Sequence, residues 1–226
     1  MKLKLDLHVH TARSYDGVDS VAETLRWAKA NGLDGLAVTD HNTVAGLREA
    51  EGAASGLLVI PGVEVTTAEG HLLLLGIREA APPRRPPEET IEWAEARGAT
   101  VIAPHPFHPL RHSLGRVEGL KVHAVEAFNS RFVTGWANRK AEREVARLRL
   151  PGVGSSDAHR ARFAGRGVTE VEAEGRSVEA VLEAVRKGRT SWSGSRTQVS
   201  SYLGQLGRGN LRKVRGRGPV PRTPGP

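Results

Sequence analysis

The chain has no cysteine, which excludes thiolate-rich zinc sites and iron–sulfur clusters. No apolar run approaches the ~18 residues needed to cross a bilayer, and no apolar leader precedes the first strand-like segment, so a cytoplasmic location is expected. One methionine and few side-chain amides, beside abundant arginine and proline, lean towards a heat-adapted source. Acid is missing from one region in particular. From Ser195 onward the chain carries Arg196, Arg208, Arg212, Lys213, Arg215, Arg217 and Arg222 and no carboxylate side chain, so most of the net charge of +8 lies there. The 226 residues, without an internal repeat, therefore read as one domain over 1–194 and a basic, partly disordered Pro/Gly/Arg-rich tail over 195–226.

What the chain has instead is histidine and acid where strand-like segments run out. From Leu3 the pattern alternates, with Leu3, Leu5, Leu7 and Val9 apolar and Lys4, Asp6, His8 and His10 polar or charged. Strand side chains point to opposite faces with period two, so alternation predicts both imidazoles on one face and the aliphatic residues on the other. A His-x-His pair at a strand end is a ready-made chelate, although alone it reads equally well as a water-facing edge. Recurrence decides. Residues 35–38 end in Thr39-Asp40-His41, 57–60 lead to Glu64, 99–103 lead to His105, and two later runs reach Glu126 and the pair Asp157 and His159. Strand ends are where the loops of alternating strand–helix barrels assemble active sites.

Between these strands lie helices with readable ends. Ser20 and Glu23 have capping-box spacing, and Asn31-Gly32 closes the segment. Further helices are expected over about 43–53, 87–97, 134–148 and 177–187. Such alternation predicts a mostly parallel α/β sheet. The domain is short for the common eightfold barrel of ~250 residues, so a smaller or distorted barrel of about seven units is expected.

His8-x-His10, Asp16, Thr39-Asp40-His41, Gly62-Val63-Glu64, His105-Pro106, Glu126 and Gly154-Ser155-Ser156-Asp157-Ala158-His159 resemble, in order and spacing, the motifs of the PHP (polymerase and histidinol phosphatase) superfamily. The resemblance implies a distorted (β/α)7 TIM-like barrel that hydrolyses phosphoesters with two or three divalent metal ions. It implies one ion held by His8, His10, Glu64 and Asp157, with Glu64 bridging to a second ion bound by His105 and Glu126. Asp16, His41 and His159 would hold the third. Glu64, Asp157 and His159 form the expected catalytic core.

Imidazole and carboxylate ligands suit Zn, Mn or Fe. Neighbouring divalent ions lower the pKa of a bridging water, so a metal-bridging hydroxide is the expected nucleophile. Loop arginines close to ligands are candidates for phosphate oxygens: Arg13, Arg131, and Arg160 or Arg162, with Arg160 favoured by adjacency to His159. His71, at the head of four leucines, reads either as a substrate-binding group at the cavity edge or as a structural histidine. His108 and His112 fall in a long loop of the kind that tunes substrate choice, His123 reads as structural, and Asp6 and Asp40 read as groups that orient ligands.

The expected substrate is a small phosphomonoester or a nucleotide. An oligonucleotide nuclease or phosphodiesterase is the alternative, since a basic tail draws nucleic acid by counterion release. A metal-dependent amidohydrolase is disfavoured because Glu64 stands where such barrels usually take a bridging carboxylated lysine. A degenerate barrel kept only as a binding module would have lost ligands, and this set is whole.

Overall fold

Short aliphatic runs supply the strands. The computed structural model describes residues 1–109, 112–132 and 134–196; from 197 onward the expected tail lies outside the described residues. The strands are β1 (Lys2–Val9), β2 (Gly35–Val38), β3 (Leu58–Thr66), β4 (His71–Leu75), β5 (Thr100–Ala103), β6 (Ala124–Asn129), β7 (Gly152–Ser155), β8 (Gly167–Glu172) and β9 (Thr190–Gly194). They form one sheet in the order β7-β6-β5-β4-β3-β2-β1-β8-β9. Five α-helices lie among the described residues: α1 (Val21–Ala30), α2 (Leu47–Gly52), α3 (Pro87–Glu95), α4 (Trp136–Leu148) and α5 (Val178–Arg186). Ser20 and Ser177 cap α1 and α5 by accepting from Glu23 N and Ala180 N. Helix α2 starts later than its pattern predicts, because the Thr43 hydroxyl accepts from Ala45 N in a preceding turn.

The sheet curls into a nearly closed barrel. Strands β1 to β3 run parallel, as do β5 to β7. Strand β4 runs against both its neighbours, and β8 and β9 add antiparallel pairs beyond β1. Closure comes where β7 returns to β1: Val9 bridges Ala158, and His10 N donates to Ala158 O at 2.9 Å. The Thr169 hydroxyl ties β8 to β7, donating to Gly154 O at 2.8 Å and accepting from Gly154 N at 3.0 Å. Among the described residues no helix is long and apolar enough to cross a membrane.

One irregularity sets the site. Leu5 pairs with Gly35 and Asp6 with Leu36, but Val9 pairs with Val38, so β1 holds one extra residue, a bulge. Leu3, Leu5 and Leu7 join Ala37, Ile60, Leu73, Ile102 and Val153 in one cluster; only the inside of the curled sheet can bring these strands together. Val9 instead packs outside, with Val21 and Leu25 of α1. The two-residue period therefore breaks near His8, and both imidazoles continue the inner wall above the leucines rather than facing away from them. Below, Val181, Leu182 and Val185 of α5 pack into the same leucine layer.

Candidate metal centre

Glu64, on β3, sits at the middle of the upper layer. Its Oε1 lies 2.7 Å from His71 Nδ1 and 3.0 Å from His105 Nε2. Its Oε2 lies 3.1 Å from His41 Nδ1, 3.2 Å from His10 Nε2 and 3.3 Å from His8 Nε2. One buried carboxylate thus serves five imidazoles. Asp157 Oδ1 stands 3.3 Å from His159 Nδ1 and 3.5 Å from His10 Nε2. Asp16 Oδ2 closes the far side, 2.7 Å from His159 Nε2 and 3.4 Å from His41 Nε2.

The structure brings the expected ligands to one place. Four sets have donor atoms within 4.8 Å of one another: His10, Asp16, His41 and His159; His8, Glu64 and His105; His8, His10 and Asp157; and His41, Glu64 and His71. Glu126 stands behind them. It meets His8 Nδ1 at 3.1 Å with one oxygen and accepts from His105 N at 2.7 Å and Asn129 Nδ2 at 2.9 Å with the other. Glu126, expected as a ligand of the second ion, belongs to none of these four sets. His71 enters the centre more deeply than its sequence context suggests. Asn129, unmarked in the sequence, also donates to Asp157 Oδ2 at 3.2 Å; its place at the end of the strand that carries Glu126 was the available signal.

Backbone strain gathers here as well. His105 (φ 30°) and Asp157 (φ 52°) lie in the left-handed region, which non-glycine residues adopt at a cost and which clusters at functional sites.

The electrostatics of the layer are opposed. Burial weighs against charge on His8, yet the acids Glu64, Asp157 and Glu126 raise its pKa well above the usual imidazole value. His10 is buried too, but Asp157 and Glu64 bring it up to about 9. Burial and then the Arg131 guanidinium push His159 down to about 3, so the ring is neutral. Burial favours a neutral Glu64, but His41, His71 and His8 hold it well below the usual carboxylate range.

The donor set fits divalent ions. His8 Nε2 and His10 Nε2 face each other at 3.0 Å, an arrangement that needs a proton or a cation between two lone pairs. His10 Nδ1, His71 Nε2 and His105 Nδ1 are buried without a hydrogen-bond partner, and such orphans are costly in a protein interior.

Of the candidate phosphate-binding arginines, Arg131 reaches the centre. Its Nη1 donates to Asp157 Oδ1 at 3.1 Å and to His159 Nδ1 at 2.7 Å. Arg13 instead pairs with the Glu49 carboxylate at 2.8 Å on the surface. Arg160 is half-buried just before the short helical turn at Ala161–Phe163. Tyr15, 66% exposed, stacks on His41 with ring centroids 4.8 Å apart, at the mouth of the cluster. His112 stacks on His71, and His108 on Phe132. His123 is structural, accepting from Val101 N at 3.0 Å. Asp40 accepts from Thr11 N at 2.6 Å, and Asp6 from Ser156 N at 3.0 Å and Gly165 N at 2.7 Å. Both acids brace the loops that carry ligands.

Comparison with known proteins agrees with this geometry. Residues 6–103 match the PHP domain and residues 135–190 the PHP-associated domain, and the chain belongs to the PHP family. It is 37% identical over 158 residues to an uncharacterized protein of Methanocaldococcus jannaschii, covering 63% of this chain and 91% of that one. It is 40% identical over 85 residues to a phosphoribosyl 1,2-cyclic phosphate 1,2-diphosphodiesterase of Eggerthella lenta, covering 34% of this chain and 32% of that enzyme. Among solved structures, a two-domain protein of Bacteroides vulgatus containing a predicted PHP-like metal-dependent phosphoesterase superposes with a TM-score of 0.71 at 22% identity, over 86% of this chain and 65% of that one. The family places the chain among hydrolases of phosphoester bonds.

Proposed function

We propose that this chain is a metal-dependent phosphoesterase that cleaves a small phosphorylated molecule or nucleotide at the Glu64-centred cluster. The observation that carries this reading is the single buried carboxylate within 3.3 Å of five ring nitrogens. A donor set of imidazoles and carboxylates suits Zn, Mn or Fe. His8, His10, Glu64 and Asp157 would hold one ion, Glu64 with His105 a second, and Asp16, His41 and His159 a third. His71 adds a donor beside His41 and Glu64, while Glu126 holds His8 and the His105 backbone in place. When bound, clustered divalent ions supply an activated water and stabilise charge on the attacking and leaving oxygens.

The protein's own groups orient the substrate. Arg131, held against Asp157 and His159, is the residue we assign to the outer phosphate oxygens, since a guanidinium suits forked contact with them. It takes precedence over Arg160 and Arg13, the latter being turned towards Glu49. Tyr15 offers an exposed ring to whatever the phosphate is attached to. Residues 1–194 act as one catalytic unit with 195–226 appended. A cytoplasmic location belongs to the same reading, because pools of small phosphoesters lie there; cell fractionation checks it.

The test is a screen of purified protein with added Mn, Zn or Fe against p-nitrophenyl phosphate, its bis ester, nucleotides and oligonucleotides. Metal-dependent turnover is expected with at least one, and His10→Ala and Asp157→Ala should abolish it. Turnover that needs no metal, or that survives both substitutions, would contradict the assignment.

A further inference from the structure

Beside the cluster lies a surface that the site described above does not use. Trp136, the first residue of α4, is 53% exposed, a large ring outside any core. One turn on, Lys140 places Nζ 4.3 Å from the Phe107 ring centroid and 5.7 Å from that of Trp136. Phe107 follows His105 by two residues. Asn138, in the same first turn as Trp136, donates to Asn129 O and accepts from Asn129 N, both at 3.1 Å. Asn129 in turn donates to Glu126 and Asp157. The start of α4 is therefore tied to the metal centre by side-chain hydrogen bonds, and aromatic surface and centre form one unit.

Cations gather at this surface, although Glu144 lies within electrostatic reach of Lys140. The guanidinium groups of Arg139 and Arg196 converge over Gly135, where a methyl group would stand 2.9 Å from Arg196 Nη1 and 3.5 Å from Arg139 Nη1. The first turn of α4 holds no acid, whereas α1, α3 and α5 each carry one or more there. Cations at a helix N-terminus are disfavoured by the helix dipole. A phosphate in front of Arg139, which stands near the start of α4, offsets that conflict, and a local rule broken beside a centre of this kind is a mark of function.

An exposed indole with cations beside it has the chemistry that receives a base and its phosphate. We propose that Trp136, Arg139 and Lys140 form a subsite for the nucleotide next to the one whose phosphate enters the Glu64 cluster, so that the substrate is a single-stranded oligonucleotide. This rests on the phosphoesterase reading and replaces its small ester or single nucleotide with an oligonucleotide, the substrate that the sequence offers as the alternative.

The experiment has two arms on the full-length protein. Binding of a short fluorescein-labelled single-stranded oligonucleotide is read by anisotropy with chelator present, so that it does not depend on turnover. Hydrolysis of p-nitrophenyl phosphate with Mn is read separately. Trp136→Ala and Lys140→Ala should each weaken oligonucleotide binding, Trp136→Ala by about tenfold or more, with small-ester turnover unchanged; Trp136→Phe, which keeps a stacking ring, should retain most of the affinity. Three results would overturn the subsite: wild-type affinity in Trp136→Ala, parallel loss of small-ester turnover, or no binding by the wild type. Trp136-dependent binding in a protein that hydrolyses no phosphoester would support the subsite and sink the phosphoesterase reading instead.

Discussion

In the lower half of the barrel, Leu3, Leu5 and Leu7 are buried among aliphatic neighbours; in the upper half, His8, Glu64 and Glu126 are buried among acids and imidazoles. The leucine layer is complete in itself, each side chain contributing ~1.5–3 kcal/mol by leaving water. The polar layer is different, because buried charges are costly unless paired and hydrogen-bonded. Its pairing is partial, with orphaned nitrogens on His10, His71 and His105 and left-handed backbone at His105 and Asp157. The comparison teaches a division of labour: the apolar layer, backed by α5, supplies stability that lets the layer above it keep strained, incompletely satisfied groups ready for cations.

That division can be broken from either side. Leu5→Ala should destabilise the fold by ~2–5 kcal/mol in chemical denaturation yet leave metal content per folded chain unchanged; a matching loss of metal would show that the layers are not independent. Mn added at about a hundredfold above its dissociation constant should stabilise the wild type by about 2.7 kcal/mol for each ion bound, read as a rise in melting temperature, and should stabilise Leu5→Ala equally. Smallest in energy, Glu126→Gln should lower metal affinity or activity by roughly 10–100-fold while the apo protein unfolds near the wild-type midpoint. A large loss of apo stability would make Glu126 a structural acid.

Much of the cluster was legible in the sequence because histidines and acids interrupt aliphatic runs: His41, Glu64, His105 and the Asp157–His159 pair stand out in this way. His71 was harder to read. Leu72 and Leu74 pack outside the barrel while Leu73 and Leu75 pack inside, so β4 is apolar on both faces and shows no period from which to infer where its first residue points. The bulge in β1 was equally hidden, since one extra residue leaves the alternation of letters intact while shifting Leu7 and Val9 to different sides. Adjacency in sequence favoured Arg160, but the turn after β6 carries Arg131 to Asp157 at the end of the neighbouring strand β7, a contact between residues far apart in sequence that no local pattern encodes.

The central claim is that Glu64 and the imidazoles around it surround a cluster of divalent ions. Anomalous diffraction from crystals grown with Mn tests it most directly. At least two peaks should lie among His8, His10, His41, Glu64, His105 and Asp157, and they should vanish in Glu64→Ala. A map with no peak in that layer, or with ions bound only at surface carboxylates, would contradict the account.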